Sequence, residues 1–185
     1  MAAVRDPDRL TYEDYSAFPD DGVRRELIDG EVYVTPAPRT RHQTLVLRIA
    51  VALQVHVAPS VGGAVFVAPY DVVLSDFDVV QPDVLFIADA DRQRLTPENL
   101  RGAPTLAVEV LSDARRDRRL KRHLYARAGV PEYWIVDPDS DWVEVYRLAD
   151  GSYATPEVLE AGSILRTPLL PGLEIDVKEL VRQEI

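Results

Sequence analysis

Glu109 stands in the middle of "TLAVEVLS", residues 105–112, a run whose other members suit a strand packed on both faces. A carboxylate taken out of water there needs a partner cation, a proton or a metal. A second carboxylate, Asp83, follows Pro82 near the start of another apolar run, "QPDVLFIAD". If the two strands are neighbours, both carboxylates converge at one sheet edge and can hold a hard cation. Magnesium takes a few carboxylates and completes its shell with waters and phosphate oxygens. Such an ion polarises a phosphoryl group and activates water, the chemistry of phosphodiester hydrolysis. A nearby lysine would stabilise the developing charge. Side chains two residues apart on a strand share a face, so a lysine at position 111 would sit beside Glu109. The chain has Leu111 there. The nearest downstream lysine is Lys121, which falls at four-residue spacing with Asp117 and Tyr125 on one helical stripe. A helix folded back over the sheet would bring Lys121 in from the side.

Several elements must position these groups. "LTYEDYSAF" reads as a first helix with Thr11 as its N-cap. "RRELIDGEVYVTPAP" reads as a hairpin turning at Asp29-Gly30, a pair that tolerates positive φ. Leu45, Ile49, Ala52 and Leu53 recur at helical spacing, which predicts a long core-packed helix from about Arg41 to Val57. "GAVFVAP", "YDVVL" and "QPDVLFIAD" read as strands, "LSDFDVV" as an exposed turn carrying Asp76 and Asp78, and Thr96-Pro97 as a short helix start. A helix over Asp113–Ala128 ends at Gly129. "PEYWIVDP" and "DWVEVYRL" form a second hairpin, and "DVKELVRQ" a closing helix capped by Asp176. The expected architecture is a mixed central sheet with helices on its two faces, the strands of Asp83 and Glu109 near its centre.

Composition limits the rest. The 185 residues suit one domain spanning 1–185, with 46% hydrophobic and 28% charged residues. The chain has no cysteine, which excludes disulfides, thiolate metal sites and a cysteine nucleophile. No apolar run is long enough to span a bilayer, and a cytoplasmic protein is expected. The net charge of −10 argues against passive polyanion binding. A local basic stretch, Arg115, Arg116, Arg118, Arg119, Lys121 and Arg122, could still meet phosphates. His42 reads as a helix-start or surface residue, with general base as its alternative. His56 and His123 lack ligand spacing.

In order along the chain, "ELIDGEVYV", "VVQPDVLFI", "LAVEVLS", "KRHLYARAGVPEYWIVDP" and "LLPGLEIDV" resemble the Uma-two family of the PD-(D/E)XK nuclease superfamily. The resemblance covers about Leu10 to Val177. It implies a restriction endonuclease-like three-layer α/β (α+β) core and Mg²⁺- or Mn²⁺-dependent cleavage of DNA. A homodimer is also expected, because cutting both strands needs two sites. Asp83 matches the "PD" aspartate and Glu109 the acidic residue of the following motif. Lys121 resembles a lysine migrated to the helix, which would make Asp83, Glu109 and Lys121 the catalytic set. Glu31 resembles the additional early metal-binding carboxylate, with Glu26 as its rival. The alternative is a catalytically inactive binding or assembly module on the same fold.

Overall fold

The computed structural model describes residues 9–60, 62–111 and 115–183, the side chains of 59, 60 and 115–118 excepted. The chain begins with α1 (Tyr12–Ser16), β1 (Arg25–Ile28), β2 (Glu31–Val34) and α2 (Thr40–Ser60). It continues through β3 (Ala64–Val67), β4 (Asp71–Ser75), β5 (Asp78–Val80), β6 (Val84–Ile87), β7 (Asn99–Arg101) and β8 (Leu106–Val110). Next come α3 (Arg115–Ala128) and the hairpin of β9 (Glu132–Asp137) and β10 (Trp142–Ala149). The short strands β11 (Ser152–Tyr153), β12 (Glu157–Glu160), β13 (Ile164–Leu165) and β14 (Ile175–Asp176) lead into α4 (Val177–Val181).

Local chemistry explains the early elements. Thr11 and Asp14 form a reciprocal capping box that starts α1. Asp29 and Gly30 both have positive φ, the geometry of a tight hairpin turn. A Cβ on Gly30 would lie 2.8 Å from that of Arg9, so only glycine fits. Gly129, again at positive φ, ends α3 where the sequence places its stop.

The strands form two main sheets. The larger has β11 and β12 along the outer edge of β10, followed by β9, β8, β6 and β3. Its β8–β9 pair is parallel and β6–β8 antiparallel, so the sheet is mixed. The second sheet runs β2-β1-β5-β4-β7. Strand parity divides the core into two. On one face Val84, Phe86, Val108 and Val110 pack with Leu45, Ile49 and Leu53 of α2 and with Leu180 of α4. On the other, Leu85, Ala107 and Ile135 meet Leu124 and Tyr125 of α3 together with Ile28, Val72 and Leu100 of the smaller sheet. The second face is therefore covered by a helix and a sheet together.

Two local expectations are corrected. The Thr96 hydroxyl accepts from the backbone N–H groups of Glu98 and Asn99, a side-chain turn that competes with helix. Asn99–Arg101 then joins β4 as a parallel strand, and the nearby short helix is a 3₁₀ turn at Asp89–Arg94. Asp78 is buried at the start of β5, where it accepts from Ser75, Arg127 and the Asp29 N–H.

Ile49 is fully buried, while Leu47 on the same helix is 65% exposed. Ile49→Ala should therefore cost about 2–4 kcal/mol in urea unfolding. Leu47→Ala, measured at concentrations low enough for a single chain, should change stability by no more than about 0.5 kcal/mol.

Candidate active site

Register builds the site. Val84 pairs with Val108, Leu85 with Ala107 and Phe86 with Leu106 across β6 and β8. One step further along this antiparallel ladder, Asp83 falls opposite Glu109. Asp83 does not continue the ladder with its backbone. Its Oδ2 accepts the Val110 N–H at 2.9 Å, so the carboxylate itself closes the end of the sheet. The two sequence-predicted residues are thereby brought together by the pairing that forms the sheet centre.

Each carboxylate has its own partners. Asp83 is buried, with His42 Nε2 3.1 Å from Oδ2 and Arg24 Nη1 3.0 Å from Oδ1. Arg24 also donates to the Gln81 carbonyl. Glu109 points to the α3 face. Its Oε1 accepts from Lys121 Nζ at 3.0 Å and from the Tyr125 hydroxyl at 2.7 Å. Lys121, only 4% exposed, reaches Glu26 as well, at 3.0 Å and 2.9 Å from its two oxygens. Glu26 accepts the Gln81 N–H in addition. Lys121 thus bridges the central strand β8 and the hairpin strand β1. It occupies, from the helix, the side of Glu109 that Leu111 leaves without a cation.

These contacts set the protonation preferences. Burial alone would push the Asp83 carboxyl up, but the His42 bond and the Arg24 charge outweigh it and the group lies below its ordinary value. At Glu109 burial dominates. Lys121 pulls the other way, but Asp83 and Glu26 add repulsion, and the group is pushed up to about 8. Burial and the neighbouring Glu109 push the Tyr125 phenol well up, so it serves as a donor.

The remaining candidates sort by strand and helix geometry. Glu31 is not brought to the cluster. It lies exposed on β2, where its carboxylate accepts from the Tyr33 hydroxyl. Its rival Glu26, on the inner strand β1, is the early carboxylate that joins the site. His42 is no surface cap: it is buried on the core side of α2 against Asp83, and its Nδ1 has no hydrogen-bond partner among the described residues. Tyr125 joins the site through Glu109. The side chains of Asp117, Arg115, Arg116 and Arg118 lie outside the described residues. Arg119 is exposed, and Arg122 lies over the Tyr146 ring at 5.7 Å. Sequence reasoning missed Arg24 altogether. Alternation along β1 was an available signal, because Arg24 shares strand parity with Glu26.

The donor set, carboxylate oxygens with one imidazole, suits a hard divalent cation. Among the described residues no three histidine or carboxylate ligands converge on one cation position. Two carboxylates with waters and a substrate phosphate fit magnesium's habit, and Asp83 and Glu109 are the pair that the β6–β8 register places opposite one another.

A mixed sheet clasped by α2 and α3, with an acidic pair at its centre and a lysine beside it, defines the restriction endonuclease-like fold. A crystal structure titled as a putative nuclease belonging to DUF820, from Anabaena variabilis, superposes with a TM-score of 0.80 at 20% identity, covering 93% of this chain and 97% of that one. The Uma2 family, described as "Putative restriction endonuclease", matches residues 12–178, and the chain belongs to that family. No curated protein matches it.

The raised Glu109 value carries a stability signature. In metal-free protein the folded state keeps this proton between the ordinary value of 4.5 and about 8, whereas the unfolded chain has lost it. Stability from this group is full below 4.5 and is lost as pH rises through that window. The melting temperature of Glu109→Gln, measured in EDTA against wild type, should gain relative to wild type from pH 5 to pH 8. A difference that does not change with pH would refute the assignment.

Proposed function

We propose that the chain is an Mg²⁺- or Mn²⁺-dependent endodeoxyribonuclease that hydrolyses phosphodiester bonds. The observation that carries this reading is the reach of Lys121 from α3 to both Glu109 and Glu26. In it, Asp83 and Glu109 hold the cation, and Glu26 holds Lys121 beside them. The bound ion would supply Lewis-acid polarisation of the phosphodiester. Lys121 places a fixed positive charge beside the carboxylate pair, where negative charge develops during hydrolysis. Tyr125 fixes the orientation of Glu109. The family description and the nuclease title of the structural relative support the same class. The exposed Arg119 on α3, within an arginine-rich stretch of the sequence, offers a phosphate contact on an otherwise acidic molecule.

One observation favours a second reading. Asp83, Glu109 and Glu26 all have partners within the chain, as they would in an inactive binding or assembly module. Plasmid incubated with Mn²⁺ or Mg²⁺ separates the two. Wild type should cut, and Glu109→Ala and Lys121→Ala should each lose roughly 100-fold or more. Cleavage that survives both substitutions would remove the site from the reaction, and no cleavage or metal binding under any condition would favour the module.

A homodimer belongs to the same proposal. Gln43, Leu47, Val51, Gln54, Val55 and Ala58 form an exposed stripe on α2 without a single charge, on a chain of net charge −10. Two acidic copies repel each other least through such a stripe, and the four-residue ridge of Leu47, Val51 and Val55 can interdigitate with itself. Light scattering should give twice the chain mass for wild type and the chain mass for the Leu47→Glu, Val51→Glu double variant. A monomeric wild type would overturn this.

A further inference from the structure

Arg24 is a cation of the cluster that the nuclease reading does not use. Its guanidinium sits on Asp83 Oδ1 at 3.0 Å, while Oδ2 is already shared by His42 Nε2 and the Val110 N–H. A divalent cation held by Asp83 must take an oxygen, and Oδ1 is the one with a single partner. Charge points the same way. Two cationic side chains, Arg24 and Lys121, stand among three carboxyl groups, and a dication added with both in place would leave excess positive charge in a buried site. Arg24 is also the cation with a route out. Its side chain is 20% exposed, against 5% for Lys121, and it precedes β1 at the mouth of the hairpin. Its hold is incomplete, because Nε is buried with no hydrogen-bond partner among the described residues. Moving outward would hydrate that group.

We propose that Arg24 is a displaceable counter-ion of Asp83, which holds the carboxylate in the metal-free protein and must swing away before a divalent cation binds. The proposal rests on the reading of Asp83 and Glu109 as metal ligands. It makes the metal-competent site a minority conformation, so the apparent affinity is reduced by the fraction of molecules in which Arg24 has left. A guanidinium released at this edge also suits a phosphate oxygen of the substrate.

The test is Mn²⁺ binding by calorimetry to wild type, Arg24→Met, Arg24→Lys and Arg25→Met, each checked for native circular dichroism. Arg25 is the control for net charge: it carries the same charge one residue away and pairs with Asp21 at 2.7 Å. Arg24→Met should bind Mn²⁺ about tenfold tighter or more, Arg24→Lys by a smaller factor, and Arg25→Met within about twofold of wild type. Without metal, Arg24→Met should melt below wild type, and saturating Mn²⁺ should close the gap; a merely structural role would leave it open. Should Arg24→Met fail to fold, the Arg24→Lys affinity decides alone. Wild-type affinity or weaker in the Arg24 variants, with Mn²⁺ still bound by all, would overturn the counter-ion and leave the metal site standing. No Mn²⁺ binding by any of the four would overturn both.

Discussion

Three carboxyl groups cannot be withdrawn from water beside one another unless something neutralises them. That constraint orders the rest of the structure. Glu26 lies on β1, Glu109 on β8 and Asp83 immediately before β6, and each neutralising group comes from an element that must be placed to deliver it. Lys121 arrives on α3, which packs over the β8 face that presents Glu109. His42 arrives on the first turns of α2, across the opposite face of the sheet. Arg24 and Glu26 arrive with the hairpin, which reaches the cluster only because β1 pairs with β5 and β5 leads through Gln81 into Asp83. Removing one partner from such a buried group is more costly than the partner's own contribution, because a charge is left unpaired.

The same constraint links folding to chemistry. A cluster that recruits its own cations keeps its carboxylates in place for the foreign one proposed here, because they are already held against a sheet and two helices, and only a counter-ion has to move. Asp83 illustrates this: it caps the ladder through the Val110 N–H at the position opposite Glu109, so strand pairing and the proposed ligand both depend on one side chain. Glu109 sits at the other extreme, pushed up to about 8 by burial and by its acidic neighbours. An arriving cation would replace the proton that Glu109 holds in neutral solution.

Much of this was legible in the residues. The capping box of α1, the Asp29-Gly30 turn, the long α2, the stop of α3 at Gly129 and the pairing of Asp83 with Glu109 all follow from local rules or from strand parity. What escaped was decided by tertiary placement. Glu26 and Glu31 sit on the two arms of one hairpin. Only the choice of β1 as inner strand and β2 as edge tells which of them is buried, and either arm alone reads the same. His42 lies three, four and seven residues before Leu45, Val46 and Ile49, so the helical periodicity did contain its burial, but a polar residue at a helix start suggests a cap first. Asp78 follows a turn and looked solvated, yet Arg127 and the Asp29 N–H come from elsewhere in the fold to satisfy it. Arg24 was hidden behind the same choice: in "RRE" alternation puts it on the face of Glu26, and that face is known to turn inward only once β1 is known as the inner strand.

The most direct test is to locate manganese in a crystal by anomalous scattering. Crystals grown or soaked with Mn²⁺ should show one strong anomalous peak between the carboxylates of Asp83 and Glu109, with Lys121 still beside Glu109. A well-ordered map at high Mn²⁺ with no peak there, and with both carboxylates keeping their present partners, would contradict the metal site on which the account rests.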